Sequence, residues 1–362
     1  MEKIQIGLPV MLHSEPEIKA FLNAKKRIEK YGENIEQPIE VGAFLYYTPR
    51  ALSEENRSKQ IINQERYQLP IVHAQAPIQL ENCLAYTSED EEKFKRKSLL
   101  ETTIEQTYEV RKHDPQKSNP VHVDMHLGII VVREGLQEHA HLPCIYSLDE
   151  FLDKKDELLT KCIMRYDQLK ALAQKRGLGT VIENSITAAF SPDHTLSKTP
   201  RMLYFPFNDL NSLNTISKGS ITFDTGHWAA TRSARYQLEN NHAYDDREFL
   251  FRMEDITSWK EYLTRNPSCQ EYLNFFTKVF HVSNVTGLGV HLEKHPELQK
   301  QWGDAGTTDG LISRNEFQSI TEYARANGRP LILEVEYDLK NIPQNEFKEA
   351  DPLITDMLTQ EV

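Results

Sequence analysis

The sequence lacks three features that would each indicate a class of protein: a long apolar run, a surplus of positive charge and closely spaced cysteines. None of its apolar runs approaches the roughly 20 residues that a membrane-spanning helix requires, so no membrane association is expected. Its 42 Lys and Arg residues are outnumbered by 54 Asp and Glu residues, which gives a net charge of -12. Because nucleic-acid binding normally depends on basic side chains, a nucleic-acid partner is disfavoured, although a local basic groove or bound metal ions could still hold a phosphate.

The four cysteines are far apart in the chain and form no Cys-x-x-Cys pair; they are Cys83, Cys144, Cys162 and Cys269. This spacing suggests neither a zinc ribbon nor a disulfide framework, so we expect reduced thiols. The first residues enter a strand-like pattern at once, without the apolar segment and small-residue cleavage site of a signal peptide. A cytoplasmic protein is therefore the expectation.

Short runs rich in Val and Ile alternate with longer charged segments of helical periodicity, a pattern typical of repeated βα units around a parallel sheet. Eight candidate strands are found at 4–12, 39–47, 70–76, 121–132, 179–185, 220–226, 285–292 and 330–337. Helix-like stretches lie between them at 15–31, 96–112, 148–176 and 313–327. The length and the eight repeats predict one (β/α)8 TIM barrel domain, residues 1–362.

Two connections are longer than a bare barrel needs, 78–120 after strand 3 and 227–284 after strand 6. We expect each insertion to carry extra helix or to cover the site, and so to shape specificity. Within the first of them, the charged run 88–97 is interpreted as the solvated start of a helix, with acids first and bases after.

Polar residues of the types that bind metals accumulate at the C-terminal ends of six consecutive candidate strands. They are His73, His126, Glu183, Asp224 with His227, His291, and Glu334 with Glu336. Catalytic side chains of TIM barrels lie at this end. For any one of these residues, a hydrogen bond or a salt bridge is an equally good explanation; their repetition favours a functional site. His122 and Asp124 share a strand face with His126 and are either supporting partners of the site or part of a buried structural network.

Four segments resemble motifs of the xylose isomerase-like superfamily, in the same order and spacing: Val-Ile-Glu-Asn at 181–184, Phe-Asp-Thr-Gly-His at 223–227, Val-His-Leu at 290–292 and Leu-Ile-Leu-Glu at 331–334. This superfamily contains sugar phosphate isomerases and epimerases and the metal-dependent abasic-site endonucleases. The resemblance implies that Glu183, Asp224, His291 and Glu334 hold a divalent metal, with His227 as a second-metal ligand or a substrate contact. The metal would be Mn, Mg, Zn, Co or Fe.

Val-His-Ala at 72–74 and Met-His-Leu-Gly at 125–128 further resemble the endonuclease branch, in which both histidines bind additional metal. That branch has an Asp-x-His pair after strand seven, whereas this chain has Gly-Asp-Ala-Gly-Thr-Thr-Asp-Gly at 303–310, without the histidine. The departure puts a three-metal nuclease site in doubt and leaves the contribution of Asp304 or Asp309 open.

The preferred hypothesis is a metal-dependent isomerase or epimerase of a small sugar-like hydroxy-carbonyl substrate. In it Glu183 and Glu334 remove and return a proton through an enediolate, and His73, His126 and His227 contact the substrate. The alternatives are a multi-metal phosphodiester hydrolase, a catalytically degenerate barrel used as a binding module, and oxidative chemistry at iron. The substrate, the number of metals and the oligomeric state, including a homo-oligomer, stay open.

Overall fold

The structure, a computed structural model, describes residues 3–116, 119–132, 143–185, 188–191, 201–204, 206–229, 231, 268–275, 277–283, 312–333, 347 and 350–358. Its strands are β1 Ile4–Val10, β2 Ile39–Tyr46, β3 Ile71–Gln75, β4 His122–Met125, β5 Ile130–Val132, β6 Ile145–Ser147, β7 Gly179–Glu183, β8 Ala188–Ser191, β9 Arg201–Tyr204, β10 Ile221–Asp224, β11 Thr277–Val282 and β12 Leu331–Leu333. Its helices are α1 Glu15–Asn34, α2 Glu54–Tyr67, α3 Ser88–Phe94, α4 Leu100–Arg111, α5 Leu148–Lys175, α6 Leu210–Ser217, α7 Cys269–Asn274, α8 Arg314–Ala326 and α9 Ala350–Leu358, with a 3-10 turn at Leu80–Asn82.

Eight of the strands form a closed barrel in the order β1-β12-β11-β10-β7-β4-β3-β2. Every neighbouring pair in this ring is parallel. The predicted TIM barrel is therefore confirmed. No helix in the described ranges combines the length and the apolar character needed to cross a membrane.

The helices begin at the sequence signals that typically start helices. Ser147 and Glu150 form a capping box at the start of α5, and Ser313 and Glu316 form the same arrangement at the start of α8. Predicted helices 15–31, 96–112, 148–176 and 313–327 correspond to α1, α4, α5 and α8. The charged run 88–97 contains α3, which opens with a capping box and has no buried residue, as its solvated character predicts.

A small second sheet is built from two connections that follow barrel strands β4 and β7. Its order is β6-β5-β9-β8, with β5 and β6 parallel and the other pairs antiparallel. The predicted strand 121–132 is therefore two strands in different sheets. Gly128, with φ +73, turns the chain between them, and a Cβ there would lie 2.8 Å from the Cα of Cys83, so only glycine fits this turn.

The predicted seventh strand, 285–292, is wrong: the seventh barrel strand is β11, Thr277–Val282, which pairs with β10 and with β12. Residues 285–292 themselves lie outside the described part of the chain. The insertion after strand 3 is confirmed, since the 3-10 turn, α3 and α4 lie between β3 and β4. The connection after the sixth barrel strand runs from residue 225 to 276 and ends with α7.

Two apolar clusters stabilise the barrel, one on each side of its wall. The larger packs the outward strand residues against the surrounding helices, and the smaller lies inside the barrel and consists of Phe44, Val72, Val279 and Ile332. Glycine makes room for the inner cluster. A Cβ on Gly42 would lie 2.3 Å from Val72 Cγ1, and one on Gly7 would lie 2.3 Å from Ile332 Cδ1.

Two strands of the barrel carry one extra residue relative to a neighbour. In β3 the register passes from Ala43↔Ile71 to Phe44↔His73, so Val72 is the extra residue. In β11 it passes from Ile221↔Thr277 to Thr222↔Val279, so the chain gains one residue there too. Such bulges change the face to which the following side chains point. The consequence is that His73 and His281, which follow these bulges, both face the barrel interior.

Candidate metal centre

The inward faces of five strands bring acidic and imidazole side chains to the C-terminal end of the barrel. These are His73 and Gln75 on β3, Asp124 on β4, Glu183 on β7, Asp224 on β10 and His281 on β11, joined by His126 and His227 just after β4 and β10. The structure thus brings together five of the predicted residues, His73, His126, Glu183, Asp224 and His227. The predicted residues His291 and Glu334, together with Asp304 and Asp309, lie outside the described residues.

The sequence-based reasoning missed His281. Its strand, Thr-Lys-Val-Phe-His-Val at 277–282, has the short apolar and β-branched composition of a barrel strand. This composition indicates a strand at 277–282, but the predicted boundaries place these residues in the long connection 227–284. His281 therefore takes the position at the end of the seventh strand that was predicted for His291.

Glu183 lies at the centre of the site and is 1% exposed. Its Oε2 accepts a hydrogen bond from Gln75 Nε2 at 3.0 Å and lies 3.3 Å from His281 Nδ1. His227 Nδ1 lies 3.1 Å from Oε1, and His126 Nε2 lies 3.5 Å from Oε2. One carboxylate is thus surrounded by three imidazoles and one amide.

Burial would raise the pKa of Glu183, because it disfavours the charged form. The nearby His126 and His281, together with a hydrogen bond from His227, outweigh burial and hold the pKa of this carboxyl well below its ordinary value. Glu183 is therefore a buried carboxylate that stays ionised at neutral pH. An ionised carboxylate in such a position is suited to bind a cation or to accept a proton.

Asp224 ends β10 and starts the helical turn that follows at 225–229. Its Oδ1 accepts the backbone N–H of His227 at 2.7 Å, and its own backbone groups are bonded by the side chain of Asn184 at 2.7 and 3.0 Å. His227 Nδ1 lies 2.8 Å from the carbonyl oxygen of Asn184. Since that oxygen can only accept, Nδ1 of His227 carries the hydrogen and Nε2 is the acceptor nitrogen of the neutral ring.

A second group lies deeper in the barrel, below Glu183. Asp124 Oδ2 lies 3.5 Å from His73 Nε2 and 3.5 Å from His281 Nε2, and all three side chains are 0% exposed. The His73 ring stacks on Phe44 with centroids 5.4 Å apart. Burial lowers the pKa of His73 to about 4, with Asp124 opposing it, so this ring is neutral at pH 7. Burial raises the pKa of Asp124, with the nearby His73 opposing it.

The donor atoms fit a divalent cation. Glu183, Asp224 and His281 each offer a ligand atom, and these atoms lie within 4.8 Å of one another, which is close enough to share one ion. Two carboxylates and one imidazole form a mixed oxygen and nitrogen set that suits Mn²⁺, Zn²⁺, Co²⁺ or Fe²⁺. Without a cation, two buried carboxylates this close repel each other. Glu183 and Asp224 are two of the four metal ligands that the sequence motifs predict, whereas His281 is not among them.

A pocket of about 230 Å³ opens beside this centre, and His126 and Ser185 form the wall that the two share. His126 Nδ1 lies 3.4 Å from Ser185 Oγ, and the backbone N–H of Ser185 donates to Asn208 Oδ1 at 2.9 Å. The remaining wall is mainly apolar and includes Leu100 and Ile130. The pocket places room for a small molecule beside His126, whose Nε2 lies 3.5 Å from Glu183 Oε2.

No protein-family model and no curated protein matches the chain. Among solved structures, the chain is similar to a D-tagatose 3-epimerase-like protein, at 13% identity and a TM-score of 0.49, over 99% of this chain and 100% of that one. It is similar to D-allulose 3-epimerase from Methylomonas sp., at 12% identity and a TM-score of 0.45, over 99% and 96% of the two chains. A xylose isomerase domain protein from Planctomyces limnophilus is similar at 11% identity and a TM-score of 0.44, over 98% and 96%. At these identities and TM-scores the likeness concerns the course of the chain, so the function is inferred from the site.

Proposed function

We propose that the protein is a divalent-metal-dependent isomerase or epimerase of a small hydroxy-carbonyl compound of the sugar type. The observation that carries this proposal is the environment of Glu183, a buried carboxylate that is held ionised within ligand distance of Asp224 and His281. Proton abstraction next to a carbonyl needs an ionised base and a nearby cation; this arrangement offers the base and a set of side chains that would hold the cation.

In this proposal Glu183, Asp224 and His281 hold the metal, which supplies Lewis-acid polarisation of the carbonyl and hydroxyl pair when bound. Glu183 takes the proton from the carbon between these groups. Gln75 donates to Glu183 Oε2 and His227 lies against Oε1, so the two side chains fix the plane of the carboxylate. A base must be held in such a fixed geometry to act on a carbon acid.

Glu334 follows β12 directly in the sequence, and β12 lies three strands from β7 around the ring. We propose it as the second carboxylate, which returns the proton, and as a further metal ligand. His126 would contact substrate from the wall that separates the metal centre from the 230 Å³ pocket. The rest of the substrate would lie in that pocket.

The proposal is tested by following hydrogen exchange in deuterated water. Chelator-treated protein reloaded with Mn²⁺ or Co²⁺ is incubated with a panel of ketoses, and NMR measures deuterium at the carbon beside the carbonyl. We expect metal-dependent deuterium incorporation and an epimer or isomer as product. Reloaded protein that exchanges no substrate hydrogen and instead cleaves a bis(aryl) phosphodiester would contradict the proposal.

One observation favours a hydrolase as the second candidate: ring nitrogens of His126, His227 and His281 all lie within 3.5 Å of Glu183 oxygens. A carboxylate among several imidazoles can bridge two metals, and paired metals activate water for phosphodiester hydrolysis. Metal stoichiometry separates the candidates. One ion per chain in the active protein favours the isomerase, and two or more favour the hydrolase.

A further inference from the structure

Asp124 and His73 form a buried pair that the proposed proton transfer does not use. Neither oxygen of Asp124 and neither ring nitrogen of His73 has a hydrogen-bond partner at ordinary distance among the described residues. Both side chains are 0% exposed. Burying polar groups with such long contacts costs free energy, so a structural role alone is a poor explanation for the pair.

His281 lies between this pair and the metal centre, and its two ring nitrogens face different carboxylates. Nδ1 lies 3.3 Å from Glu183 Oε2, whereas Nε2 lies 3.5 Å from Asp124 Oδ2. A neutral imidazole carries one hydrogen, so it can donate to only one of them. A metal needs a lone pair at Nδ1, and this requires the hydrogen to be on Nε2.

We propose that Asp124, supported by His73, is a positioning residue that holds the hydrogen of His281 on Nε2 and so keeps Nδ1 available as a metal ligand. Histidine ligands commonly donate their second ring N–H to a carboxylate, which fixes the tautomer and the ring orientation. Here the same Asp124 oxygen lies 3.5 Å from Nε2 of both histidines. His73 is held in turn by its stacking on Phe44. This inference rests on the proposed function only in taking His281 as a ligand.

The alternative is that His73, Asp124 and His281 themselves hold a second ion, since their ligand atoms also lie within 4.8 Å of one another. Two features of the group argue against it. It supplies a single carboxylate, and His281 would have to bind a cation through each of its nitrogens. A positioning role needs neither of these conditions.

The experiment measures the His281 tautomer and the metal affinity separately from turnover. Protein labelled with ¹⁵N-histidine is examined by long-range ¹H–¹⁵N NMR without metal, and Co²⁺ affinity is measured by competition with a chromophoric chelator. We expect the wild type to show His281 protonated at Nε2. Asp124→Asn should shift protonation toward Nδ1 and weaken Co²⁺ binding about 10- to 100-fold. His73→Phe, which keeps an aromatic ring on Phe44, should weaken it less than tenfold.

The matched control is Asp114→Asn, because Asp114 is also buried but accepts the backbone N–H of Ile71, away from His281. It should lose stability without a change in the His281 tautomer or in Co²⁺ affinity. Unchanged tautomer and affinity in Asp124→Asn would overturn the inference. So would two Co²⁺ ions in the wild type with one lost in His73→Phe, because the inner group would then be a metal site.

Failure of the proposed function gives a different result. A wild type that binds Co²⁺ but exchanges no substrate hydrogen contradicts the isomerase proposal. The His281 tautomer and the Co²⁺ affinity then still test the role of Asp124. A wild type that binds no Co²⁺ contradicts the metal site, and the tautomer shift in Asp124→Asn is still measurable in the metal-free protein.

Discussion

The mouth of the barrel and the layer beneath it each contain a buried carboxyl group among imidazoles, but the pKa of that carboxyl group is shifted in opposite directions. At the mouth, Glu183 is bonded by Gln75 and approached by imidazoles at 3.1 to 3.5 Å. One layer down, Asp124 and His73 approach each other only to 3.5 Å, and the His73 ring stacks on Phe44. The balance between burial and nearby charge differs: His126 and His281 outweigh burial at Glu183 and lower its pKa, whereas burial dominates at Asp124 and raises its pKa.

The largest loss of activity is expected from Glu183→Gln, which keeps the shape of the side chain at the mouth and removes its charge. We expect turnover to fall by roughly a thousandfold, because the proposed base and a metal ligand are lost together. Steady-state kinetics and metal analysis measure the change. The control is Glu150→Gln, since Glu150 caps α5 and lies outside the site, and it should retain activity. A Glu183→Gln protein with near wild-type turnover would remove Glu183 from the mechanism.

Phe44→Ala tests whether the deeper layer is held by packing. Phe44 is 0% exposed and its ring lies 5.4 Å from His73 and 5.5 Å from His281. Chemical denaturation should show a loss of about 3 to 5 kcal/mol in the free energy of unfolding. Phe223→Ala is the matched change outside the barrel, where the ring stacks on Tyr272 at 4.3 Å. Both variants should lose stability, but only Phe44→Ala should shift the ¹⁵N signals of His73 and His281.

His122, the first residue of β4, allows the pH dependence of the free energy of unfolding to be tested. Burial, with help from Arg329 and Lys278, lowers the pKa of His122 to about 4. The unfolded chain then binds a proton before the folded one does, so the stability that neutral His122 contributes is complete above pH 6.5 and is lost as the pH falls toward 4. After allowance for its partial exposure, we expect a contribution of about 2 kcal/mol.

That contribution is measured as a difference between two proteins. The free energy of unfolding of metal-free wild type minus that of His122→Gln is determined at pH 7.5 and at pH 4.5. The difference should shrink at the lower pH, because only the wild type loses stability through this histidine. A difference that stays constant between the two pH values would show that His122 titrates normally.

The smallest effect is expected at the edge of the mouth, where His126 is 13% exposed. His126→Ala should raise KM about tenfold, equivalent to about 1.4 kcal/mol, and leave the metal in place, because the ring is proposed to contact substrate. Ser185→Ala, at the other end of the 3.4 Å contact with His126, should have a lesser effect. Loss of metal in His126→Ala would instead favour the multi-metal hydrolase.

The sequence predicted the fold because the barrel strands are short apolar runs at regular intervals and the helices begin at capping residues. It failed where two signals overlapped. Residues 130–132 continue the apolar run of β4, and only the turn at Gly128 separates them into another sheet. The run 277–282 was assigned to a connection because a second apolar run, 285–292, follows closely and also contains a histidine.

Glu183 and Asp224 were predictable because each is the last residue of its strand, where a barrel presents its catalytic groups. The deeper position of His73 was not predictable, since period-2 alternation cannot reveal a bulge such as that at Val72. The role of Asp124 likewise depends on His281 and His73 approaching it from other strands. Such contacts between distant segments have no local sequence signal.

The bulge at Val72 also makes three positions of the chain depend on one another over evolutionary time. The methyl groups of Val72 occupy the space that side chains at Gly42 and Gly7 would need. A Cβ at Gly42 would lie 2.3 Å from Val72 Cγ1, and one at Gly7 would lie 3.1 Å from Val72 Cγ2. An alanine at position 42 would displace Val72 and, through it, turn His73. Descendants of this sequence that lose Gly42 are therefore expected to carry a smaller residue at position 72. Those that lose Gly7 would also need a smaller residue at position 332, because a Cβ at Gly7 lies 2.3 Å from Ile332 Cδ1.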